Sequence, residues 1–210
     1  MFITGATGYM GRRLSSELLS RGHRVHGLTR AGSVQRIVTG CEAVVGDALT
    51  AATFRDSVAG CGTLVHLVGV AHPSPAKAAE FRSIDLASAR EAIAAAAGAG
   101  VRHFIYVSVA HPAPVMREYI AARMEAEAAV RASGLNATIL RPWYVLGPGH
   151  RWPYVLAPLY WVLKLVPATR EGAERLGLVT VSQMIRALAM AVEAPADGVR
   201  VLGVPEIRGT

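Results

Sequence analysis

The stretch YIAAR, residues 119–123, holds two side chains that can handle a proton and a negative charge. Tyr119 and Arg123 are four residues apart in a segment, 115–133, whose apolar pattern predicts an amphipathic helix, so both lie on one face of it. A free tyrosine, with a pKa of about 10, is a poor base at neutral pH, but a neighbouring cation favours its ionised form. The pair is therefore either a proton-transfer unit or two polar residues on an ordinary helix face.

Apolar segments and alanine-rich segments alternate along the chain, and this order predicts the elements that position the pair. Strands are predicted at residues 1–4, 24–29, 42–46, 63–69, 102–108 and 136–141, and helices at 9–21, 50–58, 76–99 and 115–133, with a weaker helix at 33–39. Such alternation predicts an α/β fold of the Rossmann type, with a doubly wound, mostly parallel sheet. Beyond it, a strand at 175–181, a helix at 182–193 and a strand at 198–204 are predicted. We expect one domain over 1–210, with a core at 1–142 and a small C-terminal lobe at 143–210.

The first predicted strand leads into ITGATGYMG, in which Gly5, Gly8 and Gly11 are spaced G-x-x-G-x-x-G. The first glycine permits a tight turn, the second lets the backbone approach a pyrophosphate, and the third lets the helix pack closely on the strand. The N-terminus of the helix then offers N–H donors and a positive dipole end to an anion. The agreement of strand, spacing and helix predicts a dinucleotide site. The loop residues expected to bind with the glycines are Ala6, Thr7, Tyr9 and Met10.

Arg30, at the end of the second predicted strand, bears on which dinucleotide binds. At this position an acid suits the 2′-hydroxyl of the adenosine ribose, whereas an arginine suits a 2′-phosphate, so NADP is favoured over NAD. The alternative is a surface arginine, because all basic residues except Lys77 and Lys164 are arginines. Asp47, followed by Ala48, ends the third strand, where it either faces the adenine or caps the next helix.

The net charge of +7 is unevenly distributed. Residues 1–40 hold six arginines and one glutamate, a net +5, so the excess lies where a nucleotide would bind. No Lys/Arg run is interleaved with aromatic residues, and we expect no nucleic acid as partner. Cys41 and Cys61 are interpreted as reduced thiols, and no ligand spacing indicates a metal. The N-terminus shows no charged region followed by an apolar core, so we expect a cytoplasmic protein.

These segments together resemble the short-chain dehydrogenase/reductase superfamily, specifically its extended and atypical members, which include epimerase/dehydratase-like and NmrA-like proteins. TGATGYMG matches their N-terminal fingerprint, and GD at 46–47 matches their adenine-side Asp. The matches to later strands are LVHLVGVA at 64–71, GVRHFIYVSV at 100–109 and SGLNATILRPWYVLGPG at 133–149. The resemblance covers about residues 1–150.

The resemblance implies roles for residues at the end of each strand. Leu67, Val68 and Gly69 would run beside the cofactor, and Pro142 would lie near the nicotinamide. Ser108 would polarise a carbonyl, Tyr119 would act as acid or base, and residue 123 would bind the nicotinamide ribose. The family has Lys at 123, and Arg departs from it. A guanidinium keeps the charge and the hydrogen bonds but does not release its proton, so binding survives more readily than proton transfer.

Two loop histidines and one apolar segment have open interpretations. His72 and His111 follow the fourth and fifth strands, where they are either acid/base groups that replace a weakened tyrosine or ordinary loop residues. Residues 152–167, WPYVLAPLYWVLKLVP, are too few to span a membrane. They are a buried helix or lid, a dimer surface or apolar-substrate pocket, or a peripheral membrane contact. His150 and Trp152 are predicted substrate contacts.

The leading hypothesis is an NADP-dependent oxidoreductase acting on a small carbonyl or alcohol substrate, apolar ones included. The alternative is a sensor or assembly protein that binds NAD(P)H without turnover, and a third option is an epimerase or dehydratase. The resemblance also implies a homodimer through the helices at 76–99 and 115–133.

Overall fold

A seven-stranded parallel sheet forms the centre of a computed structural model, which describes residues 1–148, 172 and 174–210. Its strands are β1 (Phe2–Thr4), β2 (His26–Thr29), β3 (Glu42–Val45), β4 (Thr63–His66), β5 (His103–Val107), β6 (Ala137–Leu140) and, from further along the chain, β9 (Val199–Leu202). They lie in the order β3-β2-β1-β4-β5-β6-β9, and every neighbouring pair is parallel. A second, two-stranded sheet pairs β7 (Tyr144–Leu146) with β8 (Leu178–Thr180). The predicted Rossmann-type fold is confirmed.

Helices connect the strands, and all except the last one correspond to predicted helices. They are α1 (Tyr9–Ser20), α2 (Arg55–Val58), α3 (Ala78–Glu80), α4 (Ala87–Gly98), α5 (Arg117–Ala132), α6 (Val181–Glu193) and α7 (Val204–Arg208). The helix predicted at 76–99 contains a π-helical turn, Phe81–Leu86, between α3 and α4. The weaker prediction at 33–39 corresponds to a 3₁₀ segment, Ala31–Arg36. The apolar segment 152–167, with all its interpretations, lies outside the described residues.

Successive residues of the central strands pack on opposite faces of the sheet. Phe2 and Phe104 contribute to the core under α4 and α5, whereas their neighbours Ile3 and Ile105 contribute to the core under α1 and α6. Because side chains alternate along a strand, a parallel sheet with helices on both faces has strands that are apolar throughout. None of the helices in the described part of the chain is long and apolar enough to cross a bilayer.

The C-terminal segment belongs partly to the main sheet. β9 pairs with β6, and α6 supplies buried Met184 and Leu188 to the core that it shares with Leu14 and Leu18 of α1. Among the described residues of 143–210, only part lies apart from the main sheet. That part is mostly the β7–β8 pair.

Two strand histidines are buried and neutral. His66 on β4 is 0% exposed, and its Nδ1 shares a hydrogen bond with the Thr4 hydroxyl at 2.8 Å. His103 on β5 is also 0% exposed, and its Nε2 lies 3.0 Å from the Thr138 hydroxyl. Burial lowers the pKa of His66 to about 3 and that of His103 to about 4. Both side chains are therefore part of the interior of the sheet.

The two buried histidines should make folding stability depend on pH. Between pH 6.5 and 4 the unfolded chain binds a proton at each histidine that the folded chain does not, so the free energy of unfolding should fall as the pH falls. The loss approaches about 1.4 kcal/mol per pH unit for each histidine. Urea unfolding at pH 7 and at pH 4.5 measures it. The variant His103→Gln should lose less stability than the wild type over this interval, and an equal loss would contradict the assignment.

Candidate functional site

The strand order reverses between β1 and β4, and a crevice opens there at the carboxyl ends of the strands. In open α/β sheets this reversal point is where ligands bind. Two adjoining clefts of about 500 and about 400 Å³ lie at this edge. We call them the Arg30 cleft and the Tyr119 cleft after a residue that lines each. The residues lining both are Gly5, Gly8, Leu67, Val68, Gly69, Val70 and Ala71. The crevice is therefore continuous, with the glycine loop on one side and the loop after β4 on the other.

The glycine loop has the geometry that its spacing predicts. Gly5 has a φ of +74°, a conformation that side chains disfavour, and the N–H of Gly8 donates to its carbonyl oxygen at 3.0 Å. A Cβ at Gly11 would overlap that same carbonyl oxygen, so only glycine lets α1 pack this closely on the loop. The first turn of α1 contains no acidic residue, which leaves the positive dipole end at the crevice uncompensated.

The Arg30 cleft gathers the residues predicted for the adenosine end. Thr7, Arg30, Asp47 and Ala48 line it, together with Lys77. The Asp47 side chain also accepts a hydrogen bond from the N–H of Leu49 at 3.0 Å, so it closes a local turn in addition to lining the cleft. Lys77 donates to the Ala71 carbonyl oxygen at 2.6 Å, which places a second cation in this cleft.

The Tyr119 cleft gathers most of the residues predicted for the reacting end. Those that line it are Tyr9, Met10, Gly11, His72, Ser108, Tyr119, Arg123 and Pro142. Ala6 does not face either cleft, because it packs in the core beneath α1. His111 lines a separate hollow with Arg141. His150 and Trp152 lie outside the described residues. The roles of all these residues in binding and catalysis remain predictions.

Arg123 lies in the floor of the Tyr119 cleft, only 7% exposed. Its Nη2 donates to Asp85 Oδ1 at 2.5 Å, and its Nη1 donates to the Val107 carbonyl oxygen at 2.8 Å. The guanidinium carbon is 5.2 Å from the centroid of the Tyr119 ring, a cation–π contact. The direct partners of this cation are thus a buried carboxylate and a strand end, whereas the resemblance predicts a ribose.

The groups around Arg123 form a buried electrostatic cluster. Burial alone would lower the pKa of Arg123, but Tyr119, Tyr106 and Asp85 around it raise that pKa above the ordinary value. Burial raises the pKa of Asp85, and the guanidinium opposes that rise. Burial also raises the pKa of Tyr106, whose hydroxyl lies 3.4 Å from Arg123 Nη1, to about 12. Arg123 is therefore the permanent charge of the cluster, and Tyr106 stays protonated at neutral pH.

Ser108 takes part in a second buried cluster. Its hydroxyl donates to Glu127 Oε1 at 2.6 Å, and Arg141 binds both oxygens of the same carboxylate. Burial alone would raise the pKa of Glu127, but the hydrogen bonds from Arg141 and Ser108 bring it below its ordinary value. His111 Nε2 lies 3.5 Å from Glu127 Oε1. The hydroxyl proton that would polarise a carbonyl is therefore directed at Glu127.

Two residues beside the Tyr119 cleft have left-handed backbone. Among the described residues, His72 (φ 51°) and Met116 (φ 59°) are the non-glycine positions with positive φ. His72 lines the cleft, and Met116 precedes α5, which carries Tyr119. Such conformations cost roughly 1–3 kcal/mol and concentrate at functional sites, which agrees with a site at this cleft.

A family model described as NAD(P)H-binding matches residues 5–152, which include the glycine loop and both clefts. The chain belongs to this family of NAD(P)H-binding proteins. The predicted resemblance is thereby confirmed.

Two curated relatives of the chain are reductases by name. Over 149 residues the chain is 33% identical to a ceramide reductase of Caulobacter vibrioides, covering 70% of this chain and 46% of the relative. Over 168 residues it is 27% identical to 4-hydroxy-2-methyl-3-oxo-4-farnesyl-3,4-dihydroquinoline-1-oxide ketoreductase of Stigmatella aurantiaca, covering 70% and 50%. The chain thus spans about half the length of these relatives.

A solved structure shows the same fold. A short-chain dehydrogenase/reductase superfamily protein of Agrobacterium tumefaciens with bound NAD superimposes with a TM-score of 0.69 at 20% identity. The superposition covers 96% of this chain and 76% of that one. At that identity the likeness concerns the fold.

The sequence alone does not show which residues pair with Arg123 and Ser108 in the two buried clusters. Glu127 follows Arg123 by four residues, so it extends the face that begins with Tyr119, and this spacing is a signal that points to it. Arg141 stands in the Arg-Pro loop that matches the family. Asp85 is an acid within a predicted helix, and no spacing in the sequence links it to Arg123, 38 residues away.

Gly69 should tolerate no side chain. A Cβ there would overlap Arg123 Nη2 and lie 3.2 Å from Asp85 Oδ1. The variant Gly69→Ala should therefore lose about 1–3 kcal/mol of stability, as overpacked sites do. Gly98→Ala is the matched control, because a Cβ at Gly98 meets nothing within 4 Å. Thermal unfolding of both variants tests the contact, and equal melting temperatures would contradict it.

Proposed function

We propose that this chain is an NADP-dependent oxidoreductase that interconverts an apolar carbonyl compound and the corresponding alcohol. The observation that carries the proposal is the single crevice that joins the glycine loop and Arg30 at one end to Tyr119 at the other. An extended dinucleotide bound across it would have its adenosine ribose beside Arg30 and its nicotinamide beside Tyr119. The third option, an epimerase or dehydratase, has no comparable support from the site.

Tyr119 is the best-placed proton donor of the Tyr119 cleft. A bound, reduced nicotinamide would supply the hydride that the carbonyl carbon accepts. The Tyr119 hydroxyl would give its proton to the carbonyl oxygen, which yields the alcohol, and the tyrosinate would regain a proton from solvent. Arg123 lies under the tyrosine ring and contributes a fixed positive charge to this end of the crevice. The Ser108 hydroxyl donates its hydrogen bond to Glu127, so it can assist only by turning away from that carboxylate.

The walls of the Tyr119 cleft favour an apolar substrate. Besides the predicted residues, Pro73, Val109, Trp143 and Val145 line it. Contact between this apolar surface and a hydrocarbon chain is favourable, because it removes both from water. The relatives named for ceramide and for a farnesylated quinoline support the same class of substrate. A membrane-associated or lipid-derived carbonyl compound fits these observations.

Two cations at the Arg30 cleft support the choice of NADP. Arg30 is exposed at the end of β2, and Lys77 lines the same cleft. A 2′-phosphate carries more negative charge than a hydroxyl, and both side chains are within the cleft that would hold it.

The variant Arg30→Ala should lose the preference for the 2′-phosphate. We expect NADPH to bind about tenfold more weakly and NADH to change by less than about twofold, because in the proposed arrangement Arg30 would contact only the 2′-phosphate. Arg36→Ala is the matched control, since Arg36 is exposed on the following 3₁₀ segment and lines neither cleft. Fluorescence titration of both cofactors measures the affinities. Tighter binding of NADH by the wild-type protein would contradict the assignment of NADP.

A second candidate function is a sensor or assembly protein that binds NADPH without turnover. The observation in its favour is that two predicted catalytic groups are already engaged, Arg123 with Asp85 and Ser108 with Glu127. Such contacts preserve a binding cleft and leave Tyr119 without its usual assistance.

The variant Tyr119→Phe separates these candidates. If Tyr119 donates the proton, NADPH-dependent reduction of a panel of long-chain ketones should fall about 100-fold, while NADPH affinity stays within about twofold. Tyr144→Phe, outside both clefts, should leave the rate unchanged. Wild-type protein that binds NADPH and reduces no ketone of the panel would favour the sensor.

A further inference from the structure

The two oxygens of the Asp85 carboxylate bind two different parts of the crevice. Oδ1 accepts from Arg123 Nη2 at 2.5 Å, and Oδ2 accepts from the N–H of Val70 at 2.9 Å. Val70 belongs to the loop that follows β4 and forms one wall of both clefts. One side chain thus connects the cation in the floor to the wall beside it.

Asp85 is buried and rigidly placed. It is 0% exposed and lies in the π-helical turn Phe81–Leu86. Turns of this type occur mostly as local widenings of α-helices and often at functional sites. The Ser88 hydroxyl donates to the Asp85 backbone carbonyl oxygen at 3.3 Å, which further ties the residue to the start of α4.

The contacts of the pair reach the face of the crevice. Arg123 Nη2 lies directly behind Gly69, where a Cβ would overlap it. Any shift of the guanidinium is therefore transmitted to the backbone of Gly69 and Val70. Replacing a buried ion pair by apolar residues of similar volume often leaves stability unchanged or raises it, so stability alone gives little reason for charges here.

We propose that Asp85 is a positioning residue for the nicotinamide half of the crevice, because it fixes both the Arg123 guanidinium and the Gly69–Val70 backbone against which that half of the dinucleotide binds. The inference rests on the proposed function, which places the nicotinamide at the Tyr119 cleft. It adds a residue that lines neither cleft and whose effect should be largest on the nicotinamide half, because Arg123 lines only the Tyr119 cleft.

The test compares a whole dinucleotide with a fragment that fills only the adenosine half. In Asp85→Asn the amide is nearly the same size as the carboxylate but leaves the charge of Arg123 uncompensated. We expect NADPH and NADH to bind about tenfold more weakly, whereas ADP should bind within about twofold of its wild-type affinity, because Arg123 lines only the Tyr119 cleft and the variant leaves Arg30 and Asp47 in place. Isothermal titration calorimetry with NADPH, NADH and ADP gives all three values.

A double variant distinguishes positioning from a general loss of stability. Asp85→Asn combined with Arg123→Met removes the unpaired buried charge, so its melting temperature should recover relative to Asp85→Asn alone. NADPH and NADH binding should stay weak, because neither the guanidinium nor its counter-ion is present. If Asp85→Asn does not fold, the double variant is compared directly with the wild type under the same expectations.

Each outcome has a definite meaning. Unchanged dinucleotide affinity in Asp85→Asn overturns the positioning role and leaves the proposed function standing. Equal losses for ADP and the dinucleotides, or dinucleotide binding that returns with stability in the double variant, show a purely structural residue and overturn it as well. Wild-type protein that binds neither NADPH nor NADH overturns both the proposed function and this inference.

Discussion

Two opposite charges on one face of α5 are buried, and neither can remain there without a partner. Arg123 and Glu127 are 7% and 4% exposed and one helical turn apart, yet each is paired away from its own helix. Arg123 binds Asp85 of the π-helical turn, and Glu127 binds Arg141 after β6. Loss of one partner from a buried ion pair costs roughly 3–5 kcal/mol. The relative positions of α5, the π-helical turn and the ends of β5 and β6 therefore follow from this constraint.

The same constraint divides the crevice into a fixed floor and accessible walls. The floor holds charges that are already compensated, and the Ser108 hydroxyl is part of it. Tyr119 differs, because it is partly exposed and contacts the floor through its ring, against Phe81 and over Arg123. With Arg at this position in place of Lys, the crevice thus keeps a cation beside Tyr119, although that cation is already paired with Asp85.

The fold could be predicted from the sequence because its signals are local. Buried parallel strands are continuous apolar runs, and the glycine spacing of residues 5–11 is imposed by contacts within that loop. The position of β9 beside β6 could not be predicted, since the sequence of a strand does not indicate which strand it pairs with. Most of the residues that line the clefts could be predicted from the family resemblance. The partners of Arg123 and Ser108 were not, because they depend on how helices pack across 38 and 19 residues of chain.

The π-helical turn has a consequence for how the length of this chain can vary. Residues before it, Lys77 and Glu80, line the Arg30 cleft, whereas α4 after it packs alanines into the core. Each residue of an α-helix advances it by about 100°, so deleting one residue from the turn would rotate the preceding part while α4 kept its packing. A one-residue insertion or deletion before the turn's buried residues would therefore exchange the side chains offered to the Arg30 cleft, while α4 kept its alanines in the core. Homologous domains that differ in length by one residue here would be expected to differ in that pocket first.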